Sequence, residues 1–319
     1  MTPPLRLTLL LIATLAVLGL AMALGSGLSA AGAVNVLLGG GEAHERIILF
    51  ELRLPRILAA AAAGGLLALA GCINQTLTRN PLADPYVLGV AGGAAVLVLA
   101  GLLAGLPAAW TPAIASLGGF IATSLVYGLS RLGVWHVGRL LLIGIMLASL
   151  WGALTAFMLA LAPPGTLPGL VYWLMGDLAA AGSPLPAGIG LILLLVLVWP
   201  LAGAINVLGR GEINAAALGI PVRATQTVLF ILSSVATGLA VATAGSIGFI
   251  GLAAPHLARR LVGNDARWLI PAACIIGALL LSLADLIART LLSPTQLPTG
   301  AITALLGVPL FIYLLQRQR

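Results

Sequence analysis

The chain contains no lysine, and charged residues make up only 7% of its 319 residues, whereas about 25% is usual in a soluble domain. Without lysine it cannot form the G-x-x-x-x-G-K-[ST] phosphate loop, so any nucleotide chemistry must lie on another chain. Its two cysteines, Cys72 and Cys274, lie in apolar segments and are expected to be small buried residues. With 61% hydrophobic residues and singly scattered arginines, the sequence excludes a soluble, disordered or nucleic-acid-binding protein. It predicts a polytopic membrane protein.

Motifs of membrane enzymes and ion-coupled carriers are also missing. His44-Glu45 lacks the second histidine of H-E-x-x-H, and residues 245–248 lack the spacing of G-x-S-x-G. A proton-driven carrier needs carboxylates near mid-membrane. Asp285 is the nearest candidate, but it stands four residues before Arg289, the spacing of a helical ion pair. We expect that pair to be structural or outward-facing, with a proton relay as the alternative. We expect the chain itself to be a passageway whose energy is supplied by another protein.

Apolar stretches recur along the whole chain, and a membrane-spanning helix needs about 20 such residues. The candidates lie near residues 6–28, 57–77, 86–106, 110–130, 139–162, 185–206, 224–246, 249–262, 269–291 and 299–316. The stretch 249–262 is short and contains a proline and two arginines, so it is either a span or a half-buried broken helix. The first stretch is a span or, alternatively, a cleaved signal peptide. The predicted fold is an all-α polytopic membrane protein of about ten helices, with residues 1–319 forming one permease domain.

Orientation follows from the distribution of arginine over the short loops. With ten spans, eleven arginines lie on the side that holds both termini, and four lie on the other side: Arg46, Arg53, Arg56 and Arg289. We therefore expect both termini to be cytoplasmic.

Three polar segments interrupt the apolar pattern. The outer segment 53–56, Arg-Leu-Pro-Arg, is either a lipid-headgroup anchor or a docking point for carboxylates of a soluble partner. The inner segment 80–85 holds two prolines with Asn80 and Asp84 and predicts a rigid, self-hydrogen-bonded turn suited to a gate. The inner segment 209–221 predicts a short helix bounded by glycines and a proline, which either inserts into a partner's groove or is an ordinary loop helix.

Taken together, these segments resemble the FecCD-type permeases of bacterial ABC importers, which carry ferric siderophores, haem and vitamin B12. The resemblance covers nearly the whole chain in order. It rests on RLPR at 53–56, NPLADPYVLG at 80–89, YWLMG at 172–176, the loop 212–219, GSIGFIGLAAPHLAR at 245–259, Asp285 with Arg289, LPTG at 297–300 and LGVPLF at 306–311.

The resemblance implies a homodimer in the lipid of the bacterial inner membrane, two cytoplasmic ATPase subunits and a periplasmic binding protein. No cofactor is expected on this chain, since ATP and Mg²⁺ would bind the ATPase, and no catalytic or metal-binding residue is expected. By matching position, the residues that face the binding protein are Arg53, Arg56 and Arg289. The cytoplasmic gate comprises Asn80, Leu82, His136, Val137 and Gly138, where the last three replace the small hydroxyl residues of the vitamin B12 permease. By the same matching, the residues that couple the permease to the ATPase are Arg210, Glu212, Ala215, Ala216, Leu218 and Gly219.

The cargo is expected to be a metal chelate, a ferric siderophore in the first place. Vitamin B12 and haem are alternatives within the same family. A histidine deep in the spans would favour haem, because histidine can be an axial ligand of haem iron. The three histidines lie near predicted span ends, and their positions therefore disfavour haem as the cargo. A secondary carrier is the alternative of a different class, and it predicts uptake that survives ATP depletion but collapses with the ion gradient.

Overall fold

The computed structural model describes residues 2–25, 27–85, 89–131, 137–179, 181–293 and 295–316. These residues form helices joined by short loops, and no β-strand occurs among them. The long helices are α1 Pro3–Ala23, α4 Leu54–Thr78, α5 Val90–Leu103, α6 Thr111–Arg131, α7 Val137–Leu161, α9 Leu185–Val198, α12 Val222–Ala244, α13 Ile250–Val262, α14 Ala266–Thr290 and α15 Thr299–Gln316. The short 3-10 turn Trp199–Leu201 continues α9 into the seven-residue helix α10 Ala202–Leu208, and the three form one continuous helical segment. The short helices are α2 Ala30–Leu37, α3 Ala43–Arg46, α8 Leu167–Leu174 and α11 Glu212–Ala217.

Each predicted apolar stretch coincides with a helix, and the all-α membrane architecture is confirmed. Among the described residues, seven helical segments are long and apolar enough to cross a membrane, and α5 and α15 contain shorter apolar segments. Helix α13 has 13 residues, so it is only about 20 Å long at 1.5 Å per residue. That length falls short of the roughly 30 Å hydrocarbon core. The count of ten crossings therefore stays a prediction.

Helix α4 forms the centre of the bundle. It is rich in alanine and glycine, 19 of its 25 residues are buried, and it packs against α14, α12, α13 and α9. Small side chains allow this close packing, which in lipid supplies much of the association energy between helices. Gly64 of α4 meets Gly277 of α14, and Gly71 of α4 meets Gly251 of α13, each through backbone atoms.

The connections divide the molecule into two ends. Because successive long helices run back and forth, α2, α3 and α8 lie at one end, which we name the α2 end. The loop after α4, the short helix α11 and the start of α14 lie at the opposite end, which we name the α11 end. The predicted docking arginines belong to the α2 end, and the predicted gate and coupling residues belong to the α11 end.

Candidate functional site

Two of the three predicted docking arginines, Arg56 and Arg289, converge on one carboxylate at the α2 end. Arg56 enters at the start of α4, and its Nε donates to both carboxylate oxygens of Asp285 on α14, at 2.9 and 3.2 Å. Its Nη2 lies 2.8 Å from Oδ1 of Asp285, and its Nη1 donates to Gln296 at 2.6 Å in an exposed position. Thr299 also donates to Asp285, at 3.3 Å. A carboxylate that takes these donors is firmly fixed in the protein.

Arg289 completes the ion pairs of this arginine cluster, which we define as Arg53, Arg56, Arg289 and Asp285. Its Nε lies 3.7 Å from Oδ2 of Asp285, one helical turn earlier on α14. The prediction of a helical ion pair between these two residues is confirmed. Both side chains are buried, so the pair lies inside the protein and not on its surface.

Two of these arginines also cap the C-terminal end of α1. The last carbonyls of a helix have no partner within the helix, and here Arg53 donates to Met22 at 2.7 Å, Ala23 at 3.2 Å, Gly25 at 2.9 Å and Leu28 at 2.7 Å. Arg289 donates through Nη2 to the carbonyl of Ala21. The negative end of the helix dipole stabilises these cations further. Arg53 is only 4% exposed, and Arg289 is also buried. In this structure both guanidinium groups therefore bind carbonyl groups of this same chain.

The turn after α4 carries the predicted gate residues Asn80 and Leu82. Oδ1 of Asn80 accepts from the backbone N–H of Leu82 at 2.9 Å, and the carbonyl of Asn80 accepts from Ala83 at 3.1 Å. The predicted self-hydrogen-bonded turn is confirmed, and Leu82 is exposed at its tip. Gly138 lies in the first turn of α7. Val137 begins that helix, and His136 lies outside the described residues.

The short helix predicted between residues 209 and 221 is present as α11, Glu212–Ala217. Gly211 and Gly219 flank it with positive φ angles of 117° and 78°. Gly219 donates to Ala216 at 3.0 Å and Ile220 to Ala215 at 3.0 Å, the pairing that closes a helix end through a left-handed glycine. Glu212 accepts from Gln226 of α12 at 3.0 Å. These contacts fix α11 to the bundle.

The two faces of α11 differ sharply. Ala215 is fully buried in the main core, whereas Ile213 is 86% exposed and Leu218 is 70% exposed. Ala216 and Arg210 are exposed beside them. Isolated exposed apolar residues are common, but Ile213 on α11 and Leu218 directly after it expose two large apolar side chains within one rigidly held segment, which suits a partner's groove.

Comparison with known proteins agrees with this arrangement. The profile of the FecCD transport family matches residues 9–317. The chain belongs to the FecCD transport family.

Members of this family from several bacteria are similar to the chain over most of its length. The hemin transport system permease protein HmuU of Yersinia pestis is 42% identical, with 85% of this chain and 84% of HmuU covered. The probable siderophore transport system permease protein YfhA of Bacillus subtilis is 37% identical, covering 88% and 85%. The vitamin B12 import system permease protein BtuC of Vibrio vulnificus is 38% identical, covering 86% and 85%.

A solved structure shares the fold of this FecCD protein over its whole length. A transporter described as of the metal-chelate ABC type, in an inward-facing conformation, superposes with a TM-score of 0.85 and 30% identity, covering 99% of each chain.

Sequence reasoning grouped the arginines at one end of the molecule but missed their partners. The α1 carbonyls carry no side-chain signal, and the sequence does not connect Gln296, or Thr299 at the start of α15, with Arg56 and Asp285. Only the spacing of Asp285 and Arg289 indicated part of the cluster in advance.

Proposed function

We propose that this FecCD protein is the membrane permease subunit of a binding-protein-dependent ABC importer that moves a metal chelate inward by alternating access. In this proposal the chain forms a homodimer in the bacterial inner membrane, with both termini and the α11 end in the cytoplasm. ATP hydrolysis is assigned to two separate ATPase subunits. Membership of the FecCD family and the likeness to a metal-chelate ABC transporter support this assignment.

The observation that carries the proposal is the exposure of two large apolar side chains, Ile213 on α11 and Leu218 directly after it. Movement of an ATPase that grips Ile213 and Leu218 passes into the bundle through Ala215, which is buried in the core, and through the Glu212–Gln226 bond. The α11 segment lies close to the gate turn, because a Cβ at Gly211 would stand 3.7 Å from Nη1 of Arg79, the residue before Asn80. Rocking of α11 is therefore expected to move Asn80 and Leu82, while the assignment of Val137, Gly138 and His136 to the same gate rests on the sequence resemblance.

The substitution Ile213→Asp tests the coupling surface. Docking of an isoleucine into an apolar groove contributes about 1.5–3 kcal/mol, so the variant is expected to bind the ATPase roughly 10- to 100-fold more weakly. Affinity of the detergent-solubilised permease for the ATPase is the measurement.

The matched control for this experiment is Leu38→Asp. Leu38 is 82% exposed but lies at the α2 end, so this variant is expected to retain full ATPase affinity. Equal loss in both variants, or none in Ile213→Asp, contradicts the assignment of α11.

We assign docking of the periplasmic binding protein to the α2 end. Arg56 is the partly accessible member of the arginine cluster, and a glutamate of the partner could take the place of Gln296 as acceptor for its Nη1. Asp285 would hold the Nε side of the same guanidinium throughout. Arg53 and Arg289 contribute by fixing the surface and by their positive charge, which attracts carboxylates at short range.

For the cargo we propose a ferric siderophore, with haem and vitamin B12 as the alternatives. The permeases named for hemin, siderophore and vitamin B12 are 42%, 37% and 37–39% identical to the chain. These identities make haem the stronger of the two alternatives, and the siderophore assignment rests on the sequence resemblance. The sparse polarity of the spans suits a weakly interacting path for a bulky chelate.

Proteoliposomes containing the permease and its ATPase test the cargo. We expect ATP-dependent uptake of a ferric siderophore delivered by its binding protein, at least about tenfold above uptake of hemin or cyanocobalamin presented in the same way. Preference for another cargo would overturn the siderophore assignment alone. Uptake that persists without the ATPase but requires an ion gradient would overturn the importer mechanism.

A further inference from the structure

A polar cavity of about 590 Å³ opens at the α11 end, beside the proposed coupling helix. It lies between the end of α4, the end of α10, the last turns of α13 and the start of α14. The side chains that matter for its chemistry are Arg79, Arg210, Arg259, Asp265, Asn206 and Gln75. Its volume is in the range of pockets that admit a small molecule or a short peptide segment.

The cavity has a surplus of positive charge. Arg259 donates to Gln75 at 2.6 Å, and that neutral amide orients the guanidinium without cancelling its charge. Arg79 and Arg210 have no carboxylate within 4.0 Å in the described part of the chain. Three arginines thus line this cavity, and Asp265 is the one acidic residue in its described lining.

That acid, Asp265, is already engaged. Its Oδ1 accepts from Asn206 at 2.9 Å and from the backbone N–H of Arg267 at 3.0 Å, and so caps the start of α14. The hydrogen bond from Asn206, and next the backbone bond from Arg267, lower the pKa of the Asp265 carboxyl below its ordinary value. The carboxylate therefore stays ionised and bound to α14, and among the described residues neither Arg79 nor Arg210 lies within 4.0 Å of it.

We propose that this cavity receives an acidic side chain or acidic loop of the ATPase subunit, as a second contact next to α11. The forked guanidinium groups of Arg79 and Arg210 suit bidentate binding of a carboxylate. The position of the cavity favours a protein acid over an anionic lipid, because it adjoins Gly209 and Arg210, which lead directly into α11.

This inference rests on the proposed function, and the absence of lysine allows a direct test. In Arg210→Lys the new residue is the only lysine of the chain, so a zero-length carbodiimide can join its amine to a carboxylate in salt-bridge contact. Treatment of the permease–ATPase complex is expected to give a covalent permease–ATPase adduct, whose linked acid mass spectrometry identifies. The exposed Arg46 at the α2 end supplies the control, and Arg46→Lys should give no adduct.

Affinity measurements form the second arm. The variant Arg79→Gln/Arg210→Gln is expected to bind the ATPase at least about tenfold more weakly, since each lost charge-assisted hydrogen bond contributes about 1.5 kcal/mol or more. Its affinity should also depend less on salt concentration. Arg223→Gln neutralises an exposed arginine at the same end that does not line the cavity, and its affinity should change less than twofold.

The outcomes separate this inference from the proposed function. Wild-type affinity in the double variant, equal weakening by Arg223→Gln, or no adduct with Arg210→Lys overturns the acidic-contact proposal. Weakening that occurs in nanodiscs containing phosphatidylglycerol, but not in pure phosphatidylcholine, assigns the cavity to lipid and overturns it as well. Failure of the unmodified permease to bind any ATPase overturns the proposed function itself.

Discussion

Replacing Asp285 with alanine is expected to leave little folded protein in the membrane. Asp285 is 1% exposed, and it is the carboxylate that holds Arg56 and Arg289 together. Removing one partner of a buried ion pair costs about 3–5 kcal/mol because the remaining charge is left uncompensated. Here two buried or half-buried cations lose their counter-charge at once, and a cost of this size is a large part of a typical folding free energy of about 5–15 kcal/mol.

The measurements are the amount of protein in membranes and the Tm in detergent. Ser282→Ala is the matched control, because Ser282 is also buried on α14, one turn before Asp285, and its Oγ has no hydrogen-bond partner among the described residues. The control should accumulate and melt like the unmodified protein. Asp285→Asn keeps the shape but not the charge and should fall between the two. Normal accumulation and Tm of Asp285→Ala would show that the arginines are stabilised by other groups.

Replacing Gly277 with alanine is expected to disrupt the same region by another route. A Cβ on Gly277 would overlap the backbone carbonyl oxygen of Gly64, and one on Gly64 would overlap the carbonyl oxygen of Gly277. Backbone atoms cannot turn aside as a flexible side chain can, so α4 and α14 must separate. Overpacking in a closely packed core costs about 1–3 kcal/mol, and we expect the upper end of that range.

Separation of α4 and α14 at the two glycines also affects contacts further along these helices. Arg56 stands eight residues from Gly64, and Asp285 stands eight residues from Gly277, both toward the α2 end. A wider crossing at the glycines therefore lengthens the Arg56–Asp285 contacts. Gly19→Ala is the control, because a Cβ on Gly19 meets no atom within 4 Å, and alanine in a helix is favoured over glycine. The Tm should fall in Gly277→Ala and stay level or rise in Gly19→Ala; equal Tm values would contradict the close-contact argument.

The positions of the helices follow from the sequence because lipid imposes long apolar stretches, and composition alone reveals them. Local chemistry likewise predicts α11 and the turn at Asn80, since glycine, proline and asparagine act through their own backbone. Contacts between segments that are far apart in the sequence cannot be predicted in this way. Gly64 and Gly277 touch through their backbones, and each has an alanine four residues away. Small residues at this spacing recur throughout so Gly/Ala-rich a chain, so the spacing alone does not identify the contact.

The arginine cluster shows the same limit for the candidate site. Arg53 resembles a surface residue in the sequence, because a charged group beside a proline at a span boundary is usually solvated. Its burial depends on carbonyl groups at the end of α1, which have no sequence signature and become acceptors only when the helices have assembled. The same applies to the basic cavity, since Arg79, Arg210 and Arg259 are far apart in the chain and meet only in the folded bundle.

The capping of α1 by Arg53 and Arg289 has a consequence for biosynthesis. The carbonyls of Met22 and Ala23 accept from Arg53, 31 and 30 residues further along the chain, whereas the carbonyl of Ala21 accepts from Arg289, 268 residues away. Because translation runs from the N-terminus to the C-terminus, the first donor is synthesised long before the second. The cap of α1 can therefore be completed only after α14 has been made.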